Sequence, residues 1–308
     1  MSIRNSSDNR PVSARLALIW TNLQTAAVLF FLIAPVLAMI PLSFNAGSYF
    51  SYPMTAYSLR WYEKALTEPD WQRAFLNSLG IGAMATVLAT VLGTLAALGL
   101  SRPTFPWRWL IMPLLISPMI IPVVVVAVGF YLVFAPLGLT NSYAGVVLAH
   151  AALGTPFVVI TVTASLLSFD RNLMRAAAGL GAAPAVAFRR VMLPLVSPGV
   201  ATGAIFAFAT SFDEVVVILF IGGPAQRTVP RQMWSGIRDA IDPSILAIAT
   251  LLTVFAVALF LFSLKLRKVV EGFAFKLEAR LEQTAVFVTT LVAAALSTSL
   301  SCCGTRNP

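Results

Sequence analysis

Asp213 and Glu214 are adjacent carboxylates in an otherwise apolar run, and they are the only acids inside any long apolar stretch of this 308-residue sequence. Acids at membrane depth are costly and face a water-filled path or a partner charge, and the apolar stretches hold no basic residue to offset this pair except Lys265, one residue from the inner end of the last stretch. Two readings stay open. The pair either lines a path for a positively charged solute, or it caps and braces helices at a subunit contact or near the outer headgroups. Neighbouring helical residues point about 100° apart, so one acid can face a path while the other braces a contact. Other reactive residues are sparse. His150 is the sole histidine, which leaves no metal-ligand set or catalytic pair to complete and reads as a packed or hydrogen-bonded helix histidine. Cys302 and Cys303 are adjacent and offer neither a disulfide framework nor metal spacing. Gly179-Leu180-Gly181 is a fragment of a dinucleotide fingerprint that follows no strand, and the sequence has no GxxxxGK[ST]. No catalytic, cofactor-binding or metal site is expected.

The elements that must hold Asp213 and Glu214 follow from composition. Apolar residues make up 58%, charged residues 11%, and the mean hydropathy is +0.86, far from the balance of a water-soluble domain. Six stretches reach the ~20 apolar residues that one helical span needs: 23–44, 77–100, 109–133, 143–167, 198–221 and 245–266. They are too long for strands and lack the alternation of a barrel, so the fold class is an all-α integral membrane bundle. The basic front of residues 1–15 precedes a first helix with no convincing cleavage site and reads as an uncleaved inner tail. With that end inside, fifteen of the 21 Lys and Arg residues fall on inner segments, as the positive-inside rule requires. The net charge of +9 thus faces the cytoplasm rather than nucleic acid. The third stretch carries Pro113, Pro118 and Pro122 and reads as a kinked span, lining a path or simply packing around a bend.

The inner loop of residues 169–197 differs in kind. Asp170 is placed to cap a helix starting at Arg171, Gly181 suits the left-handed position that ends it, and Pro184 can open the next. The expected unit is helix, tight turn, helix. Its elbow, Ala176, Ala177, Ala178, Gly179, Gly181, Ala182 and Ala183, allows close approach of another backbone, or else ordinary helix packing.

Within this loop the order Arg175-Ala176-Ala177, Gly181, then Val191-x-Leu193-Pro194 is similar to the EAA motif of permease subunits of binding-protein-dependent ABC importers. Ser58-Leu59-Arg60-Trp61-Tyr62, Asn77-Ser78-Leu79, and Pro230, Met233, Trp234 and Ile237 resemble the spermidine/putrescine type, with coverage from about residue 16 to 268. The resemblance implies a six-helix type I importer bundle in a bacterial inner membrane, with residues 16–268 as the transmembrane domain and the loop's helix as a coupling helix. It implies a non-catalytic subunit beside a homologous permease, a cytoplasmic ATPase dimer that binds ATP-Mg, and an extracytoplasmic solute-binding protein. Coupling to the ATPase would fall to Arg175, Ala176, Ala177, Gly181, Val191, Leu193 and Pro194, and the path to Asp213 and Glu214. The implied cargo is a polyamine. The alternatives are an opine or another amino-acid derivative, or a secondary, ion-coupled carrier, which would ordinarily show inverted repeats that are absent here.

Two departures qualify the likeness. Arg175 stands where the motif has glutamate, which reverses the charge offered to the ATPase. Residues 269–308 do not resemble the usual short tail; Thr284–Leu300 is uncharged but rich in Thr and Ser, and reads as an interfacial segment rather than a seventh span.

Overall fold

The computed structural model describes residues 12–48, 54, 56–102, 105–239, 243–265, 268 and 272. The Thr284–Leu300 stretch and both cysteines lie outside the described residues. Among the described residues the protein is helical, apart from one isolated bridge between Asn45 and Tyr57. It divides into two compact units, residues 1–68 with 236–254 and residues 69–235 with 255–308. The last long helix, α12 (Ser244–Lys265), is shared between them.

The first unit holds α1 (Val12–Leu42) and α2 (Arg60–Thr67). No residue in the most apolar stretch of α1 is buried, so this helix offers its whole apolar surface to lipid or to another chain. Side-chain bonds tie the end of α1 to α2. Ser43 Oγ lies 2.6 Å from Tyr62 Oη, Trp61 Nε1 donates to Asn45 O at 2.8 Å, and the Arg60 guanidinium covers the Trp61 ring at 4.3 Å. A Trp and a Tyr with satisfied polar tips suit a short helix at a membrane interface.

In the second unit α3 (Pro69–Leu100), α6 (Tyr143–Ser168) and α9 (Leu193–Asp213) pack on one another. Their contacts are made by small residues. Along α9, Gly199, Gly203, Ala207 and Ser211 recur every fourth position, and each meets α6. A β-carbon on Gly199 would collide with Ser165 Oγ, and one on Gly203 would sit 2.8 Å from Val158 Cα. One on Gly154 would meet Ala207 Cβ at 3.0 Å, and Ser211 Oγ lies 2.8 Å from His150 Nδ1. Between helices surrounded by lipid, such close backbone approach replaces the missing hydrophobic drive with van der Waals packing. Burial of His150 in this seam confirms the structural reading of that residue.

The kinked third span is instead two helices, α4 (Arg108–Ile120) and α5 (Val123–Phe134), which meet at 109°. Ile121 is extended (φ −72°, ψ 137°) because the ring of Pro122 excludes the helical conformation from the residue before it. Pro122 then opens α5, where its missing N–H costs nothing. Among the described residues there are therefore five continuous helices long and apolar enough to cross a membrane, and six if the bent pair is one span. A second break ends α9 at Asp213, and the six-residue α10 (Val216–Ile221) follows. Val217, Ile218 and Ile221 of α10 pack with Ala127 of α5 and with Val146, Ala149 and Leu153 of α6 in one buried cluster.

Candidate functional site

The inner loop folds as α7 (Asn172–Gly179), a tight turn, α8 (Pro184–Ala187) and a π-helical turn over Phe188–Met192 that runs into α9. Asp170 Oδ1 accepts the Asn172 N–H at 2.8 Å, capping the first orphan donors of α7. At the other end, Gly181 N–H donates to Ala178 O and Ala182 N–H to Ala177 O, at 2.9 and 3.0 Å. This pair of bonds is a Schellman closure, and it needs the left-handed residue that Gly181 supplies with φ +82°. Space around Gly181 and Gly179 is open: a β-carbon at either would meet nothing within 4 Å. Gly181 is therefore required here by its backbone conformation, and not by crowding within the chain.

The motif residues divide into two groups. Arg175, Ala176 and Gly181 are exposed and Ala177 half-buried, whereas Val191 is buried and Pro194 half-buried. Leu193 keeps 39% of its surface exposed. The first group forms the elbow and the second its stem. Pro194 also accounts for the π turn, because it brings no N–H and its ring crowds the carbonyl four residues earlier, so the helix widens before it. Leu180 at 62% and Val186 at 41% exposure project apolar side chains from the elbow. Sequence reasoning misses both; the available signal is a pair of large apolar residues amid alanines and glycines in a loop. Arg175 holds Asn172 Oδ1 at 3.2 Å, while Arg171 donates to Ser101 O at 3.0 Å and so fastens the elbow to the end of α3.

From this stem α9 runs about 30 Å, at 1.5 Å per residue, to Asp213. There the expectation of acids within a continuous span is corrected. Glu214 is extended (φ −74°, ψ 118°) and its Oε1 accepts the Val217 N–H at 2.9 Å. The backbone leaves the helix because this carboxylate competes for the first amides of the next one. Glu214 is half-buried by this role, while Asp213 is exposed and makes no hydrogen bond or ion pair among the described residues. The two acids therefore part company: one braces α10, the other is open. Phe208, Phe212 and Phe255 cluster near this end of α9, Phe208 stacked on Phe212 and Phe255 tilted against both, with centroids 4.9 to 6.5 Å apart. Among the described residues no group of three or more His, Cys, Asp or Glu could hold a metal ion.

The family described as binding-protein-dependent transport system inner membrane component matches residues 89–271. The spermidine/putrescine transport system permease protein PotC of Haemophilus influenzae is 30% identical over 233 residues, which is 76% of this chain and 90% of that protein. The putrescine transport system permease protein PotI of Escherichia coli strain K12 is 31% identical over 229 residues, 72% of this chain and 81% of that one. Among solved structures, a bacterial ABC transporter involved in the import of the acidic polysaccharide alginate superposes with a TM-score of 0.68 at 16% identity, covering 84% of this chain and 99% of its counterpart. A bacterial alginate ABC transporter in complex with an alginate pentasaccharide-bound periplasmic protein gives 0.61 at 18% identity, over 81% and 93%. At these identities the structures report the shared fold.

Proposed function

The chain belongs to the family of binding-protein-dependent transport system inner membrane components, and from that premise we propose that it forms part of the path for putrescine, spermidine or a related polyamine in an ATP-driven importer. It is a non-catalytic, multi-pass permease subunit of the inner membrane. Its partners in this reading are a homologous permease, two copies of a cytoplasmic ATPase that bind ATP-Mg, and an extracytoplasmic solute-binding protein. The N-terminus and the elbow face the cytoplasm. The polyamine relatives support the cargo, as do an open Asp213 and an aromatic cluster, since a protonated amine is stabilised both by a carboxylate and by ring faces.

The observation that carries the coupling role is the elbow itself. An exposed, small-residue turn closed by Gly181 is joined through its stem to α9, whose other end is the break at Asp213. ATP binding closes the ATPase dimer and moves the elbow; α9, packed along α6 and α3, carries that movement as a rigid rod, and the breaks before α5 and α10 absorb it. The test is Gly181→Leu in the assembled transporter. Its own structure loses only the strain of a left-handed leucine, about 1–2 kcal/mol, so the amount in the membrane should stay within about twofold of wild type. Uptake should fall at least about tenfold, with the ATPase lost on purification, because a leucine side chain fills the surface meant for close approach. Normal uptake would remove the elbow from the coupling mechanism.

A further inference from the structure

After α11 (Val229–Asp239) the chain enters α12, whose second half belongs to the same compact unit as α9. The two helices meet at an aromatic contact, with the Phe255 ring 6.5 Å from that of Phe208 and 4.9 Å from that of Phe212, centroid to centroid. From there α12 runs back along α9 toward the elbow, and the two helices enclose a groove of about 270 Å³. On α9 it is lined by Thr202, Ile205, Phe206 and Ala209, a helical face different from the small-residue seam against α6. On α12 it is lined by Ala256, Phe260 and Leu264, with Leu259 and Ser263 beside them. Both hydroxyls are spent within their own helices: Thr202 Oγ1 donates to Pro198 O at 2.7 Å, and Ser263 Oγ donates to Phe260 O at 2.6 Å. The groove therefore offers carbon, and a polar solute would gain no hydrogen bond there for the water it lost. Phe206 stacks on Phe157 at 6.1 Å, which holds one wall in place.

Size and charge select the occupant. From Ala256 to Leu264 α12 rises about 12 Å, close to the depth of one leaflet in a hydrocarbon core ~30 Å thick. A helix of that length and about 10 Å across would displace roughly 900 Å³, far more than the groove holds, so the space suits one flexible chain and not a neighbouring helix. At the end nearer the elbow the apolar line continues into positive charge. Ala256, Phe260, Leu264 and Lys268 recur every fourth residue, Lys268 is helical and exposed, and the exposed Lys265 adjoins Leu264. Neither lysine has an ion pair among the described residues. Lysines at the end of a span extend their ammonium groups to the headgroup level while their stems stay on apolar surface.

We propose that this groove binds an anionic phospholipid from the leaflet on the elbow's side, with one acyl chain between α9 and α12 and the phosphate held by Lys268 and Lys265. The inference needs the membrane bundle alone; the importer reading enters only in calling that leaflet the cytoplasmic one. An acyl chain supplies the dispersion contacts that an empty groove would forfeit along both walls, and it needs no directional partner. The two ammonium groups add an attraction for a net negative headgroup that a zwitterionic one does not return.

The experiment is photolabelling of the purified complex, this chain with the subunits that accompany it, in nanodiscs containing phosphatidylglycerol or phosphatidylcholine that carries the same diazirine-bearing acyl chain. Labelled peptides are identified by mass spectrometry. Phosphatidylglycerol should label residues 202–209 and 256–264 at least about fivefold more heavily than phosphatidylcholine does. Lys265→Gln combined with Lys268→Gln should abolish that preference and leave the phosphatidylcholine signal within about twofold of wild type. Ala256→Phe, which places a ring in the groove, should lower labelling there at least about fivefold for both lipids, with the rest of the chain labelled as before. Equal labelling by the two lipids, unaltered by the lysine substitutions, would overturn the anionic site. A cysteine at position 260 (Phe260→Cys) that cross-links to another subunit, with no lipid label in the groove, would overturn it by giving the groove to protein. No step depends on transport, so a failed label leaves the importer reading intact, and failure of that reading leaves the labelling result standing.

Discussion

Asp213 and Glu214 are chemically alike and one residue apart, yet the geometry gives them different work. Glu214 accepts an amide N–H at the start of α10, a role that any side-chain oxygen of the same reach can fill. Asp213 is exposed and unpaired among the described residues, so under the proposed function its charge is what a cationic cargo would meet. Glu214→Gln should therefore keep putrescine uptake within about threefold, whereas Glu214→Ala should lower the thermal midpoint of the purified complex by removing a cap of about 1 kcal/mol. Asp213→Asn should cut uptake of a dication at least about tenfold with assembly unaffected, since an amide keeps size and hydrogen bonding and loses only charge. Equal uptake by Asp213→Asn and wild type would confine both acids to bracing roles. The sequence marks this pair through cost alone: two acids in an apolar run. It does not reveal the break, because the surrounding run stays apolar from Leu193 to Ile221 and the competing carboxylate bond is visible only in three dimensions.

The seam between α6 and α9 is the feature of the elements on which the rigid-rod account depends. Gly199, Gly203, Ala207 and Ser211 are readable as a four-residue repeat of small residues; their partners on α6 are not, since nothing local pairs Gly203 with Val158. A leucine at Gly203 has nowhere to go, with a β-carbon 2.5 Å from Thr161 Oγ1 and 2.8 Å from Val158 Cα. Gly203→Leu should lower stability by about 1–3 kcal/mol or more, read as a drop in thermal midpoint of the detergent-purified complex and as reduced membrane levels. Gly80 on α3, where an added β-carbon would meet nothing within 4 Å, supplies the contrast: Gly80→Ala should be neutral or stabilising by up to about 1 kcal/mol. A similar loss at both sites would mean that close packing in the seam does not set the response. Proline gives a second partial signal. Pro122 marks a bend in the third apolar stretch, but the 109° angle depends on α5 finding α10 and α6 to pack against, a long-range choice that no local residue records.

On the scale of the whole molecule, three features follow one another along the chain: an exposed elbow, a continuous α9 zipped to α6 by small residues, and a break at an exposed Asp213 that follows the ring of Phe212. Composition and the loop's residues make the membrane bundle and the helix–turn–helix elbow legible, because hydropathy, glycine and proline act locally. Assembly partners are legible only through family resemblance, since this chain contains no nucleotide-binding sequence of its own. The most direct test is putrescine uptake into proteoliposomes carrying this chain with its sister permease, with and without the ATPase, in the presence of ATP or of an imposed proton or sodium gradient. The account predicts accumulation that requires the ATPase, ATP and the solute-binding protein together and is indifferent to the gradient; accumulation driven by an ion gradient in the absence of the ATPase would contradict it.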